Sequence, residues 1–118
     1  MIETNNFAHP DSTMNIEKGK VEFVKVGGKT ISKATFEPGW KWSTHMKSMM
    51  KTNTCQMNHF GYQLSGHTHV VADDGTKKDI KAGELFHIPP GHDAWVVGNE
   101  QVVMIDFQDM TEMLKKMP

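Results

Sequence analysis

The sequence predicts an all-β chain folded as a sandwich or closed barrel. Three observations carry the prediction. About eight short runs alternate apolar and polar residues, glycine or proline turns separate them at fairly regular intervals, and helical spacing is confined to the tail. A chain of 118 residues can bury one core but not comfortably two, so one fold with one principal site is expected.

Residues 1–19 are polar, contain one proline and show no sustained period, so they read as a loosely held N-terminal arm. The barrel is expected over 20–108. VEFVKV (Val21 to Val26) alternates and runs into Gly27 and Gly28, a hairpin signal. KTISKATFEP then leads to a turn at Pro38 and Gly39. GWKWSTHMK reads as the next strand, with Trp40, Trp42, Thr44 and Met46 on one face and Lys41, Ser43, His45 and Lys47 on the other. After the polar loop Ser48 to Asn53, TCQMNHFGYQL places Cys55, Met57, His59, Gly61 and Gln63 on a shared face until Ser65 and Gly66 break it. HTHVVA, TKKDI, LFHI, DAWVV and VVMIDF complete the strands, each bounded by a turn such as Asp74-Gly75, Ala82-Gly83, Pro89-Pro90-Gly91 or Gly98-Asn99. The tail 109–118 is read as a short helix, with Met110, Met113, Leu114 and Met117 on one stripe behind Asp109 as N-cap. Closing such a sheet hides its edges and leaves room for an interior pocket.

Charge and composition narrow the function classes. Thirteen basic and fourteen acidic residues give a net charge of -1, with neither sign in a block, so no nucleic-acid or anionic-membrane partner is expected. The N-terminus lacks a cationic start followed by an apolar run, and no apolar stretch is long enough to span a membrane. The single Cys55 cannot form an internal disulfide, which fits a cytoplasmic protein.

Three of the seven histidines interrupt strand faces that would otherwise be apolar. His45 follows the tryptophan-rich run, His59 lies within the next strand, and His92 opens the strand after the double-proline corner. Convergence of three imidazoles from different strands is a way for a β-barrel to hold a divalent transition metal such as Zn, Fe, Ni or Mn, because neutral ring nitrogens bind all of these. Cys55 shares parity with His59 and is a candidate fourth ligand, against the alternative of a small buried apolar residue. Asp93 is a candidate carboxylate for orienting an imidazole, or a turn residue after Gly91. Lys47, Met57, Tyr62, His87 and Trp95 are candidate pocket-lining residues. The pair His67 and His69 has ligand spacing within a strand but follows a turn, so it is read as surface.

The chain resembles a small single-domain cupin. The resemblance spans residues from about 34 to 107. Gly39 followed by five residues reaches His45, and His59 followed by six reaches Gly66, as in the first cupin motif; Gly83, five residues, then Pro89-Pro90-Gly91 match the opening of the second. PGWKWSTHMK and IPPGHDAWVVGNE also resemble a subgroup of small, largely uncharacterised bacterial cupins. The departures are specific: Lys47 replaces the second histidine of H-x-H, His59 stands for the glutamate, and Ala94 holds the second motif's ligand position, with His92 two residues early, so that a shortened corner would carry either His92 or Asp93 to that point. The resemblance implies a double-stranded β-helix, or jelly roll, a metal held by His45, His59 and His92, a small-molecule ligand or substrate, and a homodimer.

Two function classes follow. One is a metal-dependent enzyme of oxygenase or isomerase type acting on a small organic molecule. The other is a non-enzymatic binding or sensory domain. No glutamate lies on the ligand faces, which weakens general acid-base chemistry and leaves redox work or sensing. A structural dimer module is a third and plainer possibility.

Overall fold

The computed structural model describes residues 1–116. Nine strands form two antiparallel sheets. The larger contains β1 (Ser12–Ile16), β2 (Gly19–Val26), β3 (Lys29–Phe36), β4 (His59–Ser65), β7 (Leu85–Ile88) and β9 (Val102–Asp106), ordered β1-β2-β3-β9-β4-β7. The smaller contains β5 (His67–Ala72), β6 (Lys77–Lys81) and β8 (His92–Val96), ordered β6-β5-β8. From β4 onward the chain moves between the sheets, which gives the expected double-sheet winding.

Local chemistry accounts for the hairpins. Gly27 and Gly28 both have positive φ, 59° and 77°, and directly join the paired residues Val26 and Lys29. Two successive left-handed residues are what a twist-compatible two-residue turn requires. The segment expected to be a loose arm contributes β1, whose Met14 pairs with Val21 and is buried.

The largest departure lies between β3 and β4. GWKWSTHMK does not form a strand; it makes two short helical turns, α1 (Trp42–His45) and α2 (Lys47–Met50). Trp42 and Met46 are buried while Thr44 is exposed. Their four-residue spacing puts them on one helical face, and alternation would have buried Thr44 as well. At the C-terminus, α3 (Thr111–Lys116) starts where the Asp109 carboxylate accepts the Thr111 and Thr30 N–H groups at 3.1 and 3.0 Å. Met110 is buried and Leu114 packs at the core margin; Met117 and the Met113 side chain lie outside the described residues.

The core fills the space between the sheets, with Phe23 and Val102 fully buried. One buried polar group ties the sheets together. Gln63 of β4 donates through Nε2 to the Gly66 and Ile80 carbonyls, each at 3.0 Å, and its Oε1 accepts the Thr68 hydroxyl at 3.2 Å. Its side chain thus has both amide protons and its carbonyl engaged, so its burial leaves no unpaired donor.

Candidate metal centre

Cys55, His59 and His92 bring three donor atoms within 4.8 Å of one another at one end of the interior. Backbone pairing sets two of them. The Cys55 N–H donates to the His92 carbonyl at 2.7 Å and the His92 N–H returns to the Cys55 carbonyl at 3.2 Å. This exchange fixes the loop before β4 against the start of β8. His59 then enters from the first position of β4, and its ring lies edge-on to His92 with centroids 5.2 Å apart.

Each imidazole has one nitrogen engaged away from the cluster. His92 Nδ1 bonds the Pro89 carbonyl at 2.9 Å, and His59 Nδ1 bonds Asp106 Oδ2 at 2.6 Å. These partners favour a proton on Nδ1 and leave Nε2 as the free donor, the usual way a protein orients a ligating histidine. The Cys55 sulfur lies 3.7 Å from His59 Nε2. In a tetrahedral zinc site a thiolate sulfur and an imidazole nitrogen stand about 3.5 Å apart, from bond lengths of about 2.3 and 2.0 Å. That pair therefore already has metal-compatible spacing. One thiolate and two imidazoles form a donor set suited to borderline-soft transition metals, with further positions open.

Asp106 is held for its task. Its Oδ1 accepts the Phe60 and Gln108 N–H groups at 3.2 and 3.0 Å. Gly61 allows the close approach that puts it there: Gly61 pairs directly with Asp106, and a Cβ at residue 61 would stand 2.0 Å from the Ile105 carbonyl oxygen.

The cluster polarises itself. Burial raises the Cys55 thiol pKa, but hydrogen bonds and charge from His59 and His92 outweigh burial and bring it down to about 6. Burial depresses His59, while the Asp106 carboxylate and then Cys55 raise it to about 9. A thiolate beside an imidazolium is the expected neutral-pH pair in the metal-free protein.

The donors border a partly open cavity of about 100 Å³ with a mainly apolar lining. A groove of about 550 Å³ runs between β6 and β7 and also reaches His92. The chemistry belongs to the smaller cavity, because it is the one that contacts Cys55, His59 and His92 together.

Sequence-derived assignments divide accordingly. His59 and His92 meet, and Cys55 takes the third position in place of His45. His45 ends α1, where its Nδ1 accepts the Lys41 N–H at 3.0 Å; the helical turn removes it from the cluster. Asp93 does not orient a cluster histidine: its Oδ1 accepts the Ser43 and Ala94 N–H groups and fastens α1 to β8. Asp106 has the orienting position instead. Among the candidate lining residues, Met57 borders the cavity. Lys47 is exposed on α2. Tyr62 and Trp95 have the opposite parity to inward His59 and His92. His87 bonds Asn58 at 3.0 Å on the exterior. His67 and His69 also lie outside, flanking Asp79 at 3.6 and 2.5 Å.

No family model and no curated protein matches the sequence. Solved structures do. A cupin 2 conserved barrel domain protein from Salinispora arenicola CNS-205 is 14% identical with a TM-score of 0.61, the match covering 90% of this chain and 87% of that one. KdgF from Halomonas sp. is 17% identical with a TM-score of 0.60, covering 93% and 99%. Oxalate decarboxylase is 21% identical with a TM-score of 0.55, covering 81% of this chain and 27% of the larger enzyme. These likenesses establish the cupin barrel as the fold of this chain.

Proposed function

We propose that this cupin-fold chain holds a divalent transition metal through Cys55, His59 and His92 and presents it to a small organic molecule in the adjoining cavity. The convergence of the three donors within 4.8 Å carries the reading. It replaces the expected three-histidine set by one thiolate and two imidazoles, while a small-molecule ligand and metal dependence are retained from the sequence. When bound, the metal would supply Lewis-acid or redox chemistry at its open positions. Cys55 and the two Nε2 atoms would hold it, Asp106 would fix the His59 ring and its Nδ1 proton, and the apolar wall would exclude water. Either catalysis or ligand sensing fits this arrangement.

Elemental analysis of protein purified without chelator tests the reading, with Cys55→Ser and His59→Ala as comparisons. Near-stoichiometric metal in the parent and loss in both variants is expected. A parent that contains no metal and takes up none of zinc, iron, nickel or manganese would refute it.

A second reading has its own support. Cys55, His59 and Asp106 lie in the order nucleophile, base and orienting carboxylate, linked by the 3.7 and 2.6 Å contacts. Rapid, stoichiometric alkylation of Cys55 in a protein that takes up no metal would favour it. A homodimer remains part of the proposal: Phe60, Leu64 and Leu85, 56%, 48% and 75% exposed, lie on the outer face of the larger sheet. A monomer by light scattering would remove it. Among the described residues no helix is long and apolar enough to cross a membrane. We place the protein in the cytoplasm, where a thiolate ligand stays reduced.

A further inference from the structure

The cavity wall differs from one built to hold an anion. All thirteen basic residues of the chain are lysine, and among the described residues no lysine borders the cavity. The ionisable side chains that border it are Asp106, whose oxygens are already engaged, and the Cys55, His59 and His92 cluster. A carboxylate ligand would therefore lose its hydration without gaining a cationic partner other than the centre itself. Six of the ten methionines, Met14, Met46, Met50, Met57, Met104 and Met110, border it instead. Thioether side chains are polarisable and adapt to irregular apolar shapes. At about 100 Å³ the space is smaller than the roughly 150 Å³ apolar cavity that accepts benzene.

A second, independent observation adds one polar requirement. Trp40 borders the cavity, is 4% exposed and stacks on Phe36 at 3.8 Å. Its indole N–H is buried without an acceptor. Among the described residues the other two buried side-chain atoms without a hydrogen-bond partner, on Ser12 and His67, belong to residues that do not border the cavity. A buried donor left unpaired is costly, and a ligand oxygen is the kind of group that would pair it.

We infer that the ligand of this cavity is a small, uncharged, mainly apolar molecule bearing one hydrogen-bond acceptor, of the class of short ketones or aldehydes, and that the Trp40 N–H donates to that acceptor. The inference rests on the reading that the cavity beside Cys55, His59 and His92 is the ligand site. It does not require the metal to be present.

Butanone, pentane and acetate are the probes, added to chelator-treated and to zinc-supplemented protein carrying ¹³C-methyl methionine and ¹⁵N-indole labels. Butanone should shift lining methionine methyls and one indole N–H signal and leave the exposed Met1 signal in place; pentane should move the methyls alone, and acetate neither in the chelator-treated protein. The Trp40→Phe variant should narrow the butanone-to-pentane affinity ratio by about tenfold, the worth of one hydrogen bond to an otherwise unpaired donor. Acetate displacing butanone from the metal-free cavity, or butanone leaving the methionine methyls unmoved, would overturn the class. A ratio unchanged by Trp40→Phe, together with an unmoved indole signal, would overturn the role of Trp40. Butanone binding in a protein that takes up no metal supports the ligand class and refutes only the metal reading; metal uptake without butanone binding does the reverse.

Discussion

Replacing Asp106 by Asn separates a positioning carboxylate from a bystander. In the parent, Oδ1 is engaged by the Phe60 and Gln108 N–H groups and Oδ2 by His59 Nδ1 at 2.6 Å. An Asn side chain keeps its single oxygen toward the two backbone donors, which turns its NH₂ toward His59 Nδ1. Two donors then face each other. The ring relieves the conflict by carrying its proton on Nε2, the nitrogen needed by the metal. Loss of such an orienting partner typically weakens metal binding 10- to 100-fold, or about 1.4 to 2.7 kcal/mol. Zinc affinity measured by competition with a chromophoric chelator reads this directly. Asp93→Asn is the matched control, since that carboxylate bonds Ser43 and Ala94 rather than a cluster histidine. Equal affinities in the parent and Asp106→Asn, or an equal loss in Asp93→Asn, would refute the assignment.

Three further outcomes follow from the same geometry. Cys55→Ser in cobalt-loaded protein should abolish the thiolate-to-metal absorption while His45→Ala leaves it intact, and persistence of the band in the serine variant would exclude Cys55 as ligand. Metal affinity should climb as pH rises from about 6 to about 9, because the thiol is already ionised above the lower value while His59 must shed a proton held up to the higher one. Calorimetry in buffers of different ionisation enthalpy should accordingly find about one proton released near neutral pH, and a flat affinity profile would contradict it. Gly61→Ala forces its methyl against the Ile105 carbonyl and should cost about 1–3 kcal/mol of stability, read by urea denaturation; an unchanged midpoint would mean that β4 and β9 separate without penalty.

The sequence carried eight of the nine described strands and two of the three donors, with Cys55 named as a further candidate, and the remainder was hidden for identifiable reasons. Alternation put Cys55, Met57, His59 and Gln63 on one face, and the structure turns that face inward. The same parity sends Tyr62 and Trp95 outward, so their assignment to the pocket conflicted with a pattern already present. His45 was obscured because Trp42 and Met46, four apart, satisfy both a period of two and a helical turn; only the exposure of Thr44 distinguishes the two. Asp106 was obscured because Val102, Met104 and Asp106 alternate with Val103, Ile105 and Phe107, and an apolar residue on both faces leaves the inward side undefined. Strand β1 was missed because Met14 is the only buried residue in it, too little signal for a periodic reading. The early position of His92 is resolved by the Pro89 carbonyl, which takes its Nδ1, and by the backbone exchange with Cys55.

The Gln63 amide sits four residues along β4 from His59, about 13 Å at the rise of a strand. At that end the two sheets are latched by three hydrogen bonds from one fully engaged side chain. Toward the donors the backbone exchange of Cys55 with His92 holds the loop before β4, while the cavity wall there is Met46, Met50 and Met57, whose contacts are non-directional. The two ends should therefore loosen at different free energies, with amide protons around the four-residue turns α1 and α2 exchanging with solvent well before those of β4 and β5. The half of the barrel that carries the chemistry is then also the half that breathes, and a guest can come and go while the fold stays closed behind it.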